Sequence, residues 1–480
     1  MPGKLPEWVA QHKSKGMEIK VIKKQYYLYE RSTVYDKALG RAKKVSGKYM
    51  GKITPGGVVA PGSRGNTISV GAKATVLEYG ASRYVRSISA DIARELRKQF
   101  ENGWEMIYVV SVLRTIHKIP FKRLAERYRR SYLSVEYPGL NLAGKNLTKF
   151  LKDLGEARGQ ASAFMKACFS GGKYMLFDGT SITSFSEGMA SSQPGYSQNH
   201  SYDPQVNLLY AFSYGANPAP AYYRVVPGNI KDASALKLTM EEMGIRDIVV
   251  VADKAFGYAK NIKALTGLGL KYVVPLKRNS TKYDRQTLKS GTRAAFDGSF
   301  LFNGRPVWHY ENPAAADGTR IVTYRDSELQ YFEERDYMRR IEKKSKGYTQ
   351  AGLLKKQYEF GIIVLQCNIP GSAREVYEVY KQRSAIEQSF DCLKNVLGQD
   401  SSYMHDDLSL EGWCFLNHIS LMFSYRIYAA LKSADLIKKF SVNDVLDSFS
   451  AACKISVDNR WLDSEISAST ASLMQSLHFT

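Results

Sequence analysis

Between Gly172 and Leu276 short apolar runs alternate with helix-like periodicity, and this rhythm constrains the fold more than any other feature of the chain. Tyr174 to Phe177, Val206 to Phe212 and Ala221 to Val226 read as three successive strands. Ala233 to Met243 reads as a helix, Ile248 to Val251 as an apolar strand, Tyr258 to Leu268 as a helix and Tyr272 to Leu276 as a further strand. Strands that are apolar along their whole length and interleaved with helices require a sheet covered on both faces, which is an α/β architecture. Residues 277–370 break the rhythm with strands near Phe300 to Tyr310 and Ile321 to Tyr324 and a charged helix near Leu329 to Lys344, and read as a β-rich insertion. The apolar strand Gly361 to Leu365 and long helices from Glu375 onward follow.

The preceding third has a different texture. Residues 25–60 read as a basic β-meander in which tyrosines interleave with lysines, and the Gly- and Ser-containing stretch Gly62 to Gly80 reads as a linker. Such a tyrosine-rich sheet serves equally as its own core or as a surface for a phosphate backbone. From Ser89 to Ser170 apolar residues recur every three to four positions (Ile92, Leu96, Phe100; Leu147, Leu151, Leu154), a helical pattern with Pro120 suited to a helix start and Gly155 to a stop. Residues 1–150 hold 29 Lys and Arg against 11 Asp and Glu, a charge of +18 out of +22 for the 480-residue chain. A positive field so concentrated attracts a polyanion, and nucleic acid is the commonest. In the run Lys122, Arg123, Arg127, Arg129 and Arg130 the cations suit phosphates while Leu124 and Tyr128 face a core; some thirteen residues separate this segment from the next helix, too many for a tight helix-turn-helix. The expected units are a basic β-rich region (1–75), a helical DNA-binding region (76–170), a first part of the core (171–276), the insertion (277–370) and a second part of the core with C-terminal helices (371–480).

Some classes have no support. The stretch Met1 to Gly16 lacks the apolar segment of a secretory signal, and Cys414 to Leu431 contains Asn417, His418 and Arg426, too polar for an ordinary membrane span. Five widely spaced cysteines without a Cys-x-x-Cys pair fit a reducing cytoplasm and argue against structural zinc. No phosphate-binding loop for ATP is present.

Three acids stand where chemistry is expected. Asp178 follows the strand Tyr174 to Phe177 and Asp253 follows Ile248 to Val251, and acids at the carboxyl ends of strands in such a sheet can converge on a cation. Either Asp alone reads equally as a turn or cap; two in matched settings shift the balance. In YKQRSAIEQSFDCLK, Tyr380, Arg383, Glu387 and Lys394 fall within an arc of roughly 60° on one helix, beside the apolar positions Ile386, Phe390 and Leu393. A solvated face with an Arg383–Glu387 ion pair is the plain alternative.

Taken together, Asp178 in a DGT setting, Asp253 in DxAF, and Tyr380, Arg383, Glu387 and Lys394 in the pattern Y-x2-R-x3-E-x6-K resemble the insertion-sequence transposases with a DDE triad, in the branch marked by a Tyr-Arg-Glu-Lys signature. The resemblance covers roughly residues 171–430. It implies a ribonuclease H-like core interrupted by a β-rich insertion between the second and third acids. It further implies two Mg²⁺ (or Mn²⁺) ions held by Asp178, Asp253 and Glu387, DNA phosphates held by Tyr380, Arg383 and Lys394, double-stranded DNA as partner (inverted-repeat ends and target), a homodimer on that DNA, and residence in the cytoplasm with the nucleoid. A nuclease of the same fold, or a DNA-binding factor that has lost catalysis, are the competing readings. His200, Tyr202 and Asp203 read as a surface loop, His405 to Asp407 as a helix-start loop, and Trp308 as a hairpin aromatic.

Overall fold

The computed structural model describes residues 5–22, 25–36, 40–60, 74–169, 171–196, 202–214, 219–229, 232–244, 248–252, 254–313, 318–383, 403–458 and 460–479. They form two compact units, Met1–Ala74 with Val457–Asn459, and Thr75–Ser456 with Arg460–Thr480.

In the first unit, strands β1 (Met17–Ile22), β2 (Gln25–Asp36), β3 (Arg41–Thr54) and β4 (Gly57–Val59) pair in chain order, all antiparallel. Val9, Leu28 and Ile53 are buried, with Trp8, Ile19 and Tyr26 packed around them. Side chains alternate along a strand, so Tyr27 and Tyr29 leave the face opposite to Tyr26 and Leu28. There their rings gather around Tyr49, with centroids 6.0 and 5.1 Å away. The tyrosines of the inner meander therefore divide, Tyr26 against the core and Tyr27, Tyr29 and Tyr49 onto its other face, while Tyr35 stands exposed farther out.

The second unit opens with strand β5 (Ala74–Glu78) and the helix Gly80–Ile88. The expected linker is thus shorter than its composition suggests, since its last seven residues are ordered; 61–73 lie outside the described residues. Helices Ala90–Gln99, Trp104–His117, Leu124–Arg130, Leu133–Glu136, Gly144–Glu156 and Arg158–Cys168 follow. Ile92, Leu96, Phe100, Leu147, Leu151 and Leu154 are buried, as their spacing requires.

The core sheet comprises β6 (Tyr174–Thr183), β7 (Gln193–Tyr196), β8 (Tyr202–Tyr214), β9 (Ala219–Pro227), β10 (Val249–Ala252) and β11 (Lys271–Pro275). It continues through β12 (Gly298–Phe302), β13 (Arg305–Asn312), β14 (Arg320–Asp326) and β15 (Ile362–Cys367). The central order is β9-β8-β6-β10-β11, with β9, β8 and β6 antiparallel and β6, β10 and β11 parallel. Helices Asp232–Met243 and Ala259–Gly267 make the crossovers, and the parallel strands are almost wholly buried, which is why they read as continuous apolar runs. The inserted segment does not build a sheet of its own. Its last strand, β15, pairs antiparallel with both β11 and β14, so β12 to β15 extend the core sheet past what would be an open edge at β11.

The helix Asp407–Ser433 is buried for most of its 27 residues. It packs against β9 and against helices Trp104–His117 and Gly144–Glu156. Among the described residues no helix is long and apolar enough to cross a membrane. The polar residues in this helix have interior roles: the Asn417 side-chain oxygen accepts from Nε of the buried Arg114 at 2.9 Å, and Ser420 donates to the Ser111 carbonyl at 3.0 Å. Gly155 does not end its helix, which runs to Glu156. A Cβ there would lie 2.0 Å from the Leu408 carbonyl oxygen, and one at Gly412 would lie 2.2 Å from that of Leu151. These two glycines let the helix backbones cross in direct contact.

Candidate active site

The geometry around Asp178 starts from strand register. Phe177 of β6 stands beside Ala252 of β10, and there the parallel ladder ends because β10 ends. β6 itself runs on to Thr183, paired among the described residues only with β8, where Asp178 faces Tyr210. Asp178 is thus inside its strand rather than at its end, a correction to the apolar-run boundary; on the β10 side it is the first residue beyond the shared ladder. Its half-buried carboxylate accepts from the Gly179 amide at 2.8 Å. Asp253, the residue after Ala252, lies outside the described residues, as do Glu387 and Lys394. Among the described residues no three His, Cys, Asp or Glu side chains gather as a metal site.

The helix Ala373–Lys381 begins with a capping box, Ser372 with Glu375, and its apolar face (Ala373, Val376, Tyr377, Val379) is buried. Tyr380 lies in its last turn, packed half-buried against the main core. Arg383 lies in the turn that follows, its amide bonded to the Tyr380 carbonyl at 3.1 Å. The described helix therefore ends before the signature does, and the expected face shared with Glu387 and Lys394 lies outside the described residues. Tyr380, Lys381 and Arg383 line a groove together with Lys277 and Arg278, which leave the carboxyl end of β11. This places four basic side chains at the same end of the parallel strands as Asp178. The pair Lys277 and Arg278 was open to sequence reasoning by the logic used for the acids, since it directly follows an apolar strand.

An unforeseen acid holds this helix. Asp326, the last residue of β14, is 1% exposed; it accepts from the Tyr377 hydroxyl at 2.6 Å and lies 3.6 Å from the Lys381 ammonium and 3.3 Å from the Arg305 guanidinium. Its other oxygen caps the helix Ser327–Glu342 through the amides of Glu328 and Leu329. Burial pushes the Lys381 ammonium below its ordinary range, and Asp326 opposes that shift. Burial and the hydrogen bond to Asp326 hold the Tyr377 phenol well above its ordinary value.

In the helical region Lys122, Arg123, Arg129 and Arg130 are exposed and Leu124 and Tyr128 are buried, so the expected facing holds. Arg127 pairs with Glu78 at 3.4 Å and Arg130 with Glu126 at 2.8 Å. A hydrogen bond from His117 holds the Glu78 carboxyl below the usual range against the opposing effect of burial.

The remaining candidates resolve into structural roles. Asp406 caps the helix Asp407–Ser433 through the Ser409 amide, and Asp407 accepts from the amides of Ala190 and Ser191, while His405 contributes its carbonyl to Ser186. Tyr202 and Asp203 belong to β8 rather than to a loop, because β7 pairs with them; His200 lies outside the described residues. Trp308 is a hairpin aromatic, edge-on to Phe296 at 6.2 Å and under the Arg293 guanidinium at 4.8 Å.

No curated protein matches the chain. Among solved structures it is similar to the piggyBac transposase in a synaptic complex with hairpin DNA, at 11% identity and a TM-score of 0.39 over 79% of this chain and 82% of that one. It is also similar to the Mos1 transposase in a paired-end complex with the left transposon end, at 13% identity and a TM-score of 0.15 over 37% and 59%. Both likenesses are too loose to fix topology or residue roles. A family model described as the transposase DDE domain matches residues 170–423, more than half of the chain and the whole stretch from β6 into the long C-terminal helix, so this chain belongs to that family and is a DDE transposase, an enzyme of DNA cleavage and strand transfer.

Proposed function

We propose that Asp178, Asp253 and Glu387 form the metal-binding triad with which this transposase cuts the ends of an insertion sequence and transfers the freed 3′-hydroxyl to target DNA. The observation that carries the reading is the register of β6 and β10. Phe177 pairs with Ala252, and each is followed by an aspartate. One peptide step advances the chain by about 3.8 Å, which supports reading both acids as lying at the same end of adjacent parallel strands. The order β9-β8-β6-β10-β11, three antiparallel strands then two parallel ones, supports a ribonuclease H-like core with 277–370 as its insertion. The signature Tyr380, Arg383, Glu387 and Lys394 supports the Tyr-Arg-Glu-Lys branch.

Members of the family generally use divalent metal ions, and carboxylate oxygens suit Mg²⁺ or Mn²⁺. When bound, two such ions stabilise the attacking and leaving oxygens of phosphodiester exchange. The protein's own part is orientation: Tyr380, Arg383 and Lys394, joined by Lys277 in the groove, hold phosphates flanking the cut, because neighbouring phosphates repel one another until cations fix the strand. Residues 1–150, including Lys122, Arg123, Arg127 and Arg130, supply most of the affinity for duplex DNA, and two copies of the chain join the two ends as a homodimer in the cytoplasm.

The test uses the full chain and DNA carrying the short inverted repeats that flank its gene. Asp178→Asn, Asp253→Asn and Glu387→Gln each abolish Mg²⁺-dependent cleavage and leave end binding within a few-fold of the unaltered protein. Full cleavage by any one of the three removes that residue from the triad.

A further inference from the structure

The outer part of the β2–β3 hairpin is the most exposed regular structure of the first unit, and nothing in the active-site chemistry accounts for it. β1 pairs with β2 only from Gln25 to Glu30, and β4 pairs with β3 only from Lys52 to Thr54. From Arg31 to Asp36 and from Arg41 to Ser46 the two strands pair with each other and with no further strand among the described residues. A register shift beside Glu30 marks the base of this ribbon, a bulge of the kind that bends and twists a strand pair. Six residue pairs at roughly 3.4 Å per residue make a ribbon about 20 Å long.

Its composition is unusual for a free edge. The two arms carry Arg31, Arg41, Lys43 and Lys44 against one acid, Asp36. Lysines on an edge also protect against strand-on-strand aggregation, but that role calls for polar neighbours. Here Val34, Tyr35 and Val45 are 56%, 64% and 40% exposed. Register and alternation put Arg31 and Lys44 on one face and Lys43 and Arg41 on the other. A flat anionic surface such as a membrane would be met by cations on one face. A groove between two phosphate chains is met by cations on both.

We infer that this ribbon enters the major groove of duplex DNA, its two faces turned to the two phosphate walls, Arg31 and Lys44 toward one and Arg41 and Lys43 toward the other. The major groove admits a two-stranded ribbon. The inference rests on the reading that residues 1–150 bind duplex DNA and names the element that does so.

The experiment compares the full chain with the triple variant Arg31→Ala, Lys43→Ala, Lys44→Ala on its end duplex, by fluorescence anisotropy across salt concentrations and by protection of guanine N7 from dimethyl sulfate. The variant melts at the temperature of the unaltered chain, binds about 10-fold or more weakly, and loses roughly 2 to 3 units of the log–log salt slope, about 0.9 per phosphate contact. It also loses N7 protection over one turn of the duplex. Unchanged affinity, slope and protection overturn the ribbon assignment alone. Lost affinity with N7 protection intact overturns the groove assignment, as does the same sensitivity on anionic vesicles. Failure of the unaltered chain to bind any duplex overturns the inference and the reading beneath it together.

Discussion

The inner and outer halves of the ten-stranded sheet solve different problems. In the inner half every residue of β10 is buried, and only Lys271 of β11 is exposed. In the outer half β12 alternates between half-buried and exposed, and β13 buries two of its eight residues. A strand buried on both faces has no place for a polar side chain except beyond its last ladder pair, so chemistry in the inner half is confined to the ends of the ladders. The outer half presents charge at its strand ends, with the buried Asp326 closing β14 and Arg305 opening β13, to the helix bearing Tyr380. One half carries Asp178 just past the β6–β10 ladder, the other positions a helix by side-chain contact.

Substitutions separate these roles. The largest effect is expected at the ladder end: Asp178→Asn lowers the cleavage rate by about 1000-fold or more, the scale of losing a group that acts on the reacting atoms, with no loss of thermal stability. A proportionate fall in stability would assign Asp178 to the fold instead. Asp326→Asn comes next. It leaves Lys381 and Arg305 without their buried anion, costs roughly 3 kcal/mol of stability in denaturant titrations, and slows cleavage about 10- to 100-fold at unchanged DNA affinity. Cleavage by the folded fraction at the unaltered rate would limit Asp326 to stability. Third, Val250→Ala in the inner half should cost about 2 kcal/mol, whereas Leu301→Ala, 62% exposed in the outer half, should stay within about 0.5 kcal/mol. Equal losses would erase the distinction between the halves.

The last effect depends on pH. His418 is fully buried beneath Tyr210 and Tyr223, with ring centroids 6.2 and 5.4 Å away, and among the described residues neither ring nitrogen has a hydrogen-bond partner. Burial pushes its imidazole down to about 3. The unfolded chain takes up that proton first, so the stability tied to His418 is full above about pH 6.5 and is lost as the pH falls toward 3. Between pH 7 and 5 this amounts to about 2 kcal/mol, and His418→Phe should remove that part of the pH dependence in parallel melts.

The inner half was legible because its signals are local. Runs such as Val249 to Val251 need no knowledge of their neighbours; the continuation of β6 past Asp178 and the start of β8 at Tyr202 beside β7 were not legible, because they depend on strand pairing. The outer half was not legible in the same way. Asp326 meets Tyr377 across 51 residues of chain, and its sequence context shows no more than a helix cap. That β15 would close onto β11 likewise depends on a distant partner, and Gly155 read as a stop because the backbone it admits belongs to Leu408. For the Tyr380 helix, periodicity reaches Lys394, whereas the described helix ends at Lys381.

The glycine crossing between helices Gly144–Glu156 and Asp407–Ser433 also sets an order of events during synthesis. The earlier helix leaves the ribosome about 250 residues before its partner. At roughly 5–20 residues per second the wait is on the order of ten to fifty seconds. Throughout that interval Leu147, Leu151 and Leu154 lack the surface that covers them in the finished protein. Nascent chains of this transposase therefore keep that apolar stripe uncovered until translation has passed Asp407 to Ser433, and a chain terminated upstream of Asp407 never covers it.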